Sequence, residues 1–222
     1  MPIKGVFITG TDTGVGKTLI SAVLTKAWQG CYWKPLQTGL AEEQGDTATV
    51  QHLAELSPDR IIPPYYALKA PLSPLMAAQK ENVTINIEQF TLPDVKSPLI
   101  IEGAGGLMVP ITPDFLMIDL IAQLKLPVVL VARPHLGTLN HTLLSIDALS
   151  RRNIAVLGFV FNEGDNPENR HVIEHIGKTS CLFHLPSYNT LEPALISELA
   201  HLVPPLDRLS YGRSAEFSLQ SF

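Results

Sequence analysis

Residues 10–18 read Gly-Thr-Asp-Thr-Gly-Val-Gly-Lys-Thr and follow the apolar run Val6-Phe7-Ile8 after a single threonine, Thr9. A strand that ends in glycines, and a helical pattern that opens on Lys-Thr, leave few folds available. Such a turn aims backbone N–H groups inward and makes a concavity for phosphate oxygens. Lys17 adds a mobile positive charge, and the Thr18 hydroxyl stands where loops of the form G-x-x-x-x-G-K-[ST] coordinate Mg²⁺. The leading glycine, Gly10, lies one position earlier than that form requires. The expected phosphate cradle is Thr13, Gly14, Val15, Gly16, Lys17, Thr18 and Leu19. A glycine-rich turn with no ligand is the alternative, and Gly-Lys-Thr between a strand and an amphipathic helix argues against it.

Short apolar runs alternate with helical patterns along the rest of the chain, the signature of a parallel sheet covered on both faces. Strands are expected at 6–9, 32–34, 99–102, 128–131, 156–161 and 181–184. Helices are expected at 17–29, 46–56, 73–80 (with a Ser73 cap and Pro74 at the first helical position), 118–124, 140–150, 167–177 and 191–202. Right-handed crossovers assemble these into one doubly wound α/β domain over residues 1–203. Pro93 interrupts the stretch before the strand at 99, so the crossover at 86–98 is expected to be short or irregular. Residues 204–222 show no clear period and read as a loosely attached tail.

A chain of 222 residues with 45% hydrophobic and 17% charged residues is a compact globular protein of ordinary domain size. Its net charge of −5 supplies no basic footprint, which points away from nucleic acid and anionic membranes as partners. Cys31 and Cys181 each lie in an apolar run and read as packing residues rather than a disulfide or a metal pair. The first residues do not read as a secretory leader, and no apolar run approaches the length of a membrane span, so a cytoplasmic protein is expected.

Two carboxylates and a lysine stand where the chemistry would need them. Glu102 closes the apolar run Leu99-Ile100-Ile101, and a carboxylate there is costly unless it is paired or on a metal. Gly103, Ala104, Gly105 and Gly106 follow it, a run suited to close backbone approach to a ligand or to a plain turn. Lys34 follows Tyr32-Trp33 and precedes Pro35, which places it at a strand's carboxyl end, facing the crevice where α/β proteins bind ligands. A lysine snorkelling at a sheet edge would read the same way. Asp46 precedes a helical pattern and could serve as its N-cap. Asn162 and Glu163 end another strand; an amide there matches the edge of adenine, or forms a turn.

The loop Gly10–Thr18 lacks the early second lysine of ATPases that partition cellular components, having Asp12 there. It resembles instead the dethiobiotin synthetase family. Four further segments carry the resemblance in order: Trp33-Lys34-Pro35-Leu36-Gln37-Thr38-Gly39, Glu102–Gly106, Leu136-Gly137-Thr138-Leu139-Asn140-His141, and Val160-Phe161-Asn162-Glu163. The resemblance implies a P-loop enzyme that uses ATP and Mg²⁺ to join 7,8-diaminononanoate and CO₂ into dethiobiotin. It implies that Thr18, Asp46 and Glu102 hold the metal, that Lys17 and Lys34 act on the transferring phosphoryl group and the carbamate, and that Thr38 contacts the substrate. Pro186, Ser187 and Tyr188 resemble the loop that closes over the nucleotide base. Gly137 and Asn140 resemble the segment that, from the neighbouring subunit of a homodimer, meets the substrate carboxylate; helix-start N–H groups suit an anion, though Asn140 could simply cap its helix. Family members sometimes carry an acidic residue where this chain has Gly14, and the role of that side chain is absent here. Two rival readings are a P-loop amide ligase of the cobyrinate or cobyrate type, which needs an amidotransferase domain that this length does not accommodate, and an ATP-binding switch, which would not need Lys34 with Thr38.

Overall fold

The structure, a computed structural model, describes residues 3–42 and 44–209. In chain order the strands are β1 (Gly5–Gly10), β2 (Cys31–Trp33), β3 (Leu36–Gln37), β4 (Ile61–Ile62), β5 (Tyr66–Ala67), β6 (Leu99–Gly106), β7 (Pro110–Thr112), β8 (Phe115–Leu116), β9 (Val128–Ala132), β10 (Val156–Asn162) and β11 (Cys181–Leu185). The helices are α1 (Lys17–Ala27), α2 (Asp46–Leu53), α3 (Pro74–Lys80), α4 (Met117–Leu124), α5 (Thr138–Arg151), α6 (Pro167–Gly177) and α7 (Pro193–Leu199). Seven strands form one sheet in the order β11-β10-β9-β1-β6-β2-β4, and every pairing in it is parallel. The expected doubly wound α/β fold is therefore the observed one.

Alternation along the strands divides the core in two. Val6, Ile8, Ile100, Val129 and Val131 face α1, α2 and α7, whereas Phe7, Leu99, Ile101, Val128 and Leu130 face α3, α4, α5 and α6. Helix α1 lies under the glycine loop and buries Ile20, Val23 and Leu24 completely. Three such side chains contribute about 5–9 kcal/mol of burial, an upper bound against an extended chain. That packing holds the loop's helical end still while its glycines turn. From β1 the chain winds toward β4, and after β6 it crosses back toward β11, so the crevice for ligands opens around the carboxyl ends of β1, β6 and β9.

Several boundaries differ from the expectation. Strand β4 is only Ile61–Ile62, between Arg60 and Pro63, too short for any periodicity to reveal. The Gly103–Gly106 run is strand, not turn: β6 continues through it and Gly106 pairs with Gly10 of β1. Helix α2 stops at Leu53, and Glu55 adopts a φ of +52° just beyond it. Helix α5 starts at Thr138 with Gly137 at its N-cap position, so Asn140 lies in the first turn and does not cap it. Ser73 does stand at the N-cap of α3 but makes no side-chain capping bond. The 86–98 crossover is irregular as expected, with one short 3₁₀ turn at Ile87–Gln89 and Phe90 buried as its anchor. Both cysteines are free; Cys31 is buried and Cys181 only partly so. The start of the proposed tail lies on the body: the Trp28 indole N–H donates to Pro204 O at 3.0 Å, and Leu206 and Leu209 pack on the α1 side of the core. Residues 210–222 lie outside the described residues.

Candidate active site

The loop from Gly10 to Thr18 turns on Gly14 (φ +72°) and Gly16 (φ +97°). A Cβ at Gly16 would stand 2.1 Å from Asn162 Nδ2, so that position admits no side chain. The same amide donates to Val15 O at 3.1 Å and ties the loop to the end of β10. Asn162 is thus turned toward the phosphate loop, with its amide nitrogen committed there. Lys17 folds back over the loop and donates to Asp12 O at 3.1 Å. Burial, aided by the nearby Lys34 ammonium, holds its amine below the usual lysine range. Stripping water from a cation raises its affinity for an incoming anion, which suits a phosphate-binding lysine.

Behind the loop four functional side chains meet. The Thr18 hydroxyl lies 2.7 Å from Asp46 Oδ1 and 3.1 Å from Glu102 Oε1. The Lys34 ammonium lies 2.9 Å from Glu102 Oε1 and also pairs with Asp46 Oδ2. Lys34 is 4% exposed and Glu102 1% exposed. Burial alone would lower the Lys34 pKa, yet Glu102 and Asp46 together overcome it and hold it above the usual value. For Asp46, burial is likewise overcome, chiefly by Lys34, and its carboxyl sits below the usual range. Asp46 is the first residue of α2 and Gly45 takes the cap position, so its oxygens serve the cluster rather than a cap. The Gln37 side chain fixes this approach: its Oε1 accepts from Asp46 N at 3.0 Å and its Nε2 donates to Thr38 O at 2.8 Å.

Three oxygens from Thr18, Asp46 and Glu102 converge in one place. Mg²⁺ prefers hard oxygen donors, keeps several waters and takes the rest of its shell from phosphates, so this donor set fits it. Beside the cluster lies a cleft of about 540 Å³ lined by Thr13, Thr38, Gly39, Pro71, Leu72, Ser73, Pro74, Ala104, Gly105 and Val109, among others. Gly103 itself packs against Phe7, whose ring a Cβ would approach at 2.8 Å, so its glycine serves the core. A groove of larger volume, around Trp28, Pro98 and Leu206, lies apart from these residues.

Three contributors were missed by sequence reasoning. Arg133, just past β9, donates to Gly14 O and pairs with Glu163 Oε1 at 3.1 Å; Glu163 also meets His135 at 3.4 Å. A charged residue at a strand's carboxyl end was the available signal. Gln37 and Tyr32 gave none. Pro186, Ser187 and Tyr188 follow β11, and Tyr188 packs against the α1-side core. Asn140 is exposed and makes no side-chain hydrogen bond among the described residues, so one chain alone does not bring it to the cluster. Leu136 beside it is fully exposed.

A glycine loop at the end of the central strand, a lysine and a hydroxyl opening the next helix, and two carboxylates against that hydroxyl define a P-loop nucleotide-binding domain. A family model described as an AAA domain matches residues 4–194. The chain is 45% identical over 191 residues to the ATP-dependent dethiobiotin synthetase BioD of Rhodopseudomonas palustris (strain TIE-1), covering 86% of this chain and 90% of that one. It is 46% identical over 203 residues to the enzyme of the same name from Paramagnetospirillum magneticum (strain ATCC 700264 / AMB-1), covering 91% and 96%. It is 53% identical over 206 residues to the biotin biosynthesis bifunctional protein BioCD of Bordetella avium (strain 197N), covering 93% of this chain but only 44% of that longer protein. This chain belongs to the dethiobiotin synthetase family.

Proposed function

We propose that this protein closes the ureido ring of dethiobiotin from 7,8-diaminononanoate, CO₂ and ATP, releasing ADP and phosphate, with Mg²⁺ held by Thr18, Asp46 and Glu102. The observation that carries this reading is the Lys34 ammonium, buried against both carboxylates behind the glycine loop. A nucleotide switch would not need a second buried lysine there. When bound, the metal would neutralise charge on the β- and γ-phosphates.

The chain's own groups do the remaining work by position and charge. One substrate amine takes up CO₂ and releases a proton, forming a carbamate in the cleft beside Thr38. Lys34 stands where the negative carbamate and the γ-phosphoryl group would meet, and its compact ammonium stabilises both. The carbamate oxygen forms a bond to the γ-phosphorus as the bond to ADP breaks, with Lys17 and the loop N–H groups holding the charge. The second amine then attacks the carbonyl carbon, phosphate leaves, and the ring closes with loss of the amine protons. Loop residues 13–19 hold the triphosphate, while Ala104 and Gly105 line the cleft wall. Asn162, Glu163 and the 186–188 turn lie at the carboxyl ends of the strands beyond β9, on the side this reading gives to the base.

A two-fold dimer completes the site in this reading. Exposed Met108 and Leu144 line a groove beside Thr11–Thr13 of the loop, and Leu136, just before α5, is fully exposed. Covering these residues with a second copy would bring Gly137 and Asn140 of one subunit to the substrate carboxylate bound by the other. In this reading the protein acts in the cytoplasm. Phosphate release from ATP, measured with and without diaminononanoate and bicarbonate, tests the assignment: release that needs all three supports it, and release indifferent to the diamine rules it out.

A further inference from the structure

We propose that Tyr32 is a positioning residue for the metal site, its phenol fixing the plane of the Glu102 carboxylate from inside the core. The inference rests on the reading of Glu102 as a metal ligand. Tyr32 is fully buried, and its hydroxyl donates to Glu102 Oε2 at 2.9 Å. Tyr32 of β2 pairs with Ile100 of β6, and Glu102 stands two residues further along β6 on the same face, so the long phenol reaches diagonally to it. The other oxygen, Oε1, takes Lys34 at 2.9 Å and Thr18 at 3.1 Å.

The two ends of that carboxylate differ in kind. Lys34 and Thr18 belong to the polar cluster behind the glycine loop and would change partners when phosphates and metal arrive. The phenol comes from the sheet, packed among Ile100, Val50 and Leu53, and its bond does not depend on what occupies the cleft. The terminal torsion of a glutamate is broad, so the side chain itself does not choose a plane. The Tyr32 bond therefore keeps Oε1 aimed at Thr18 and the phosphates. Without it, Oε2 is a buried acceptor with no donor, and the carboxylate turns to share Lys34 or Thr18 instead.

The test is Tyr32→Phe, which keeps the ring and its volume and deletes the hydroxyl, with near-UV circular dichroism to confirm the packed core. Binding of a non-hydrolysable ATP analogue is measured by calorimetry in EDTA and across a Mg²⁺ titration. The expected result is metal-free nucleotide affinity within twofold of the parent and a half-saturating Mg²⁺ concentration raised about tenfold. In turnover assays, saturating Mg²⁺ should then restore kcat to within about threefold. An unmoved Mg²⁺ dependence in Tyr32→Phe, or equal losses with and without metal, overturns the inference. Glu102→Gln is measured alongside: if it too leaves the Mg²⁺ dependence unmoved, the metal assignment fails and this inference with it. If only Tyr32→Phe is unmoved, the inference fails alone.

Discussion

Replacing Lys34 by methionine keeps an unbranched side chain of similar length and removes the charge that neutralises Asp46 and Glu102. Removing one partner of a buried ion pair costs about 3–5 kcal/mol, because an uncompensated charge stays behind. Here two carboxylates are left, but the Asp46 side chain is 30% exposed and water reaches it, which points to the low end, about 3 kcal/mol. For a chain of 222 residues, that corresponds to a fall in Tm of about 6–12 °C. The same vacancy makes the Lys34→Met protein a better metal binder than the parent when no nucleotide is present. At a Mg²⁺ concentration a hundredfold above its Kd, binding returns about 2.7 kcal/mol. Thermal unfolding should therefore show a variant that is strongly destabilised in EDTA and largely recovered in millimolar Mg²⁺, while the parent shifts little. The variant should still bind ATP with Mg²⁺ and make no product. A Tm equal to that of the parent in EDTA, or equal Mg²⁺ shifts in the two proteins, would refute the view that Lys34 neutralises a metal-binding pair.

Lys17→Ala should lower turnover by about 10²-fold or more, since it deletes the cation that the proposed mechanism sets against the phosphates; near-normal ATP turnover would remove the basis for the phosphate site. Asn140→Ala should weaken diaminononanoate binding and leave ATP binding intact, and mixing it with Lys34→Ala subunits should restore one working site per heterodimer; a fully active monomer by sedimentation would count against the shared site. Burial pushes the Cys181 thiol up to about 11 from an ordinary 9.0. Its raised folded value means that stability is lost as pH climbs from 9 toward 11, where the unfolded thiol has already released its proton. Alkylation of Cys181 by iodoacetamide at pH 8 should be about a hundredfold slower than in the unfolded chain and rise tenfold per pH unit up to about 11, as peptide mass spectrometry would read; a rate already at its plateau by pH 9 would contradict that environment.

The central strands were legible because each is an apolar run long enough to be buried on both faces, and the glycine loop because its residue types follow from phosphate geometry. Lys34 and Glu102 were legible for a simpler reason: a charge placed directly after a buried apolar run needs a partner in the crevice. What escaped was whatever depends on neighbours distant in sequence. The two-residue β4 exists only because β2 offers it an edge. Gly103–Gly106 reads locally as a turn, and becomes strand because β1 pairs with its end and Phe7 fills the space a Cβ would take at Gly103. The Tyr32–Glu102 and Gln37–Asp46 bonds cross between elements, and no local pattern announces them. The commitment of Asn162 to the loop follows from Gly16 lacking a side chain, a contact between residues far apart in the sequence.

In the proposed mechanism a carbamate oxygen, made from CO₂ and held at Lys34, attacks the γ-phosphorus. Oxygen labelling tests this directly. With C¹⁸O₂ and unlabelled ATP in a single turnover, faster than exchange with water, one ¹⁸O is expected in the released phosphate and one in the ureido carbonyl of dethiobiotin. Phosphate carrying no label, with one ¹⁸O left in the carbonyl and the other lost to water, would contradict it.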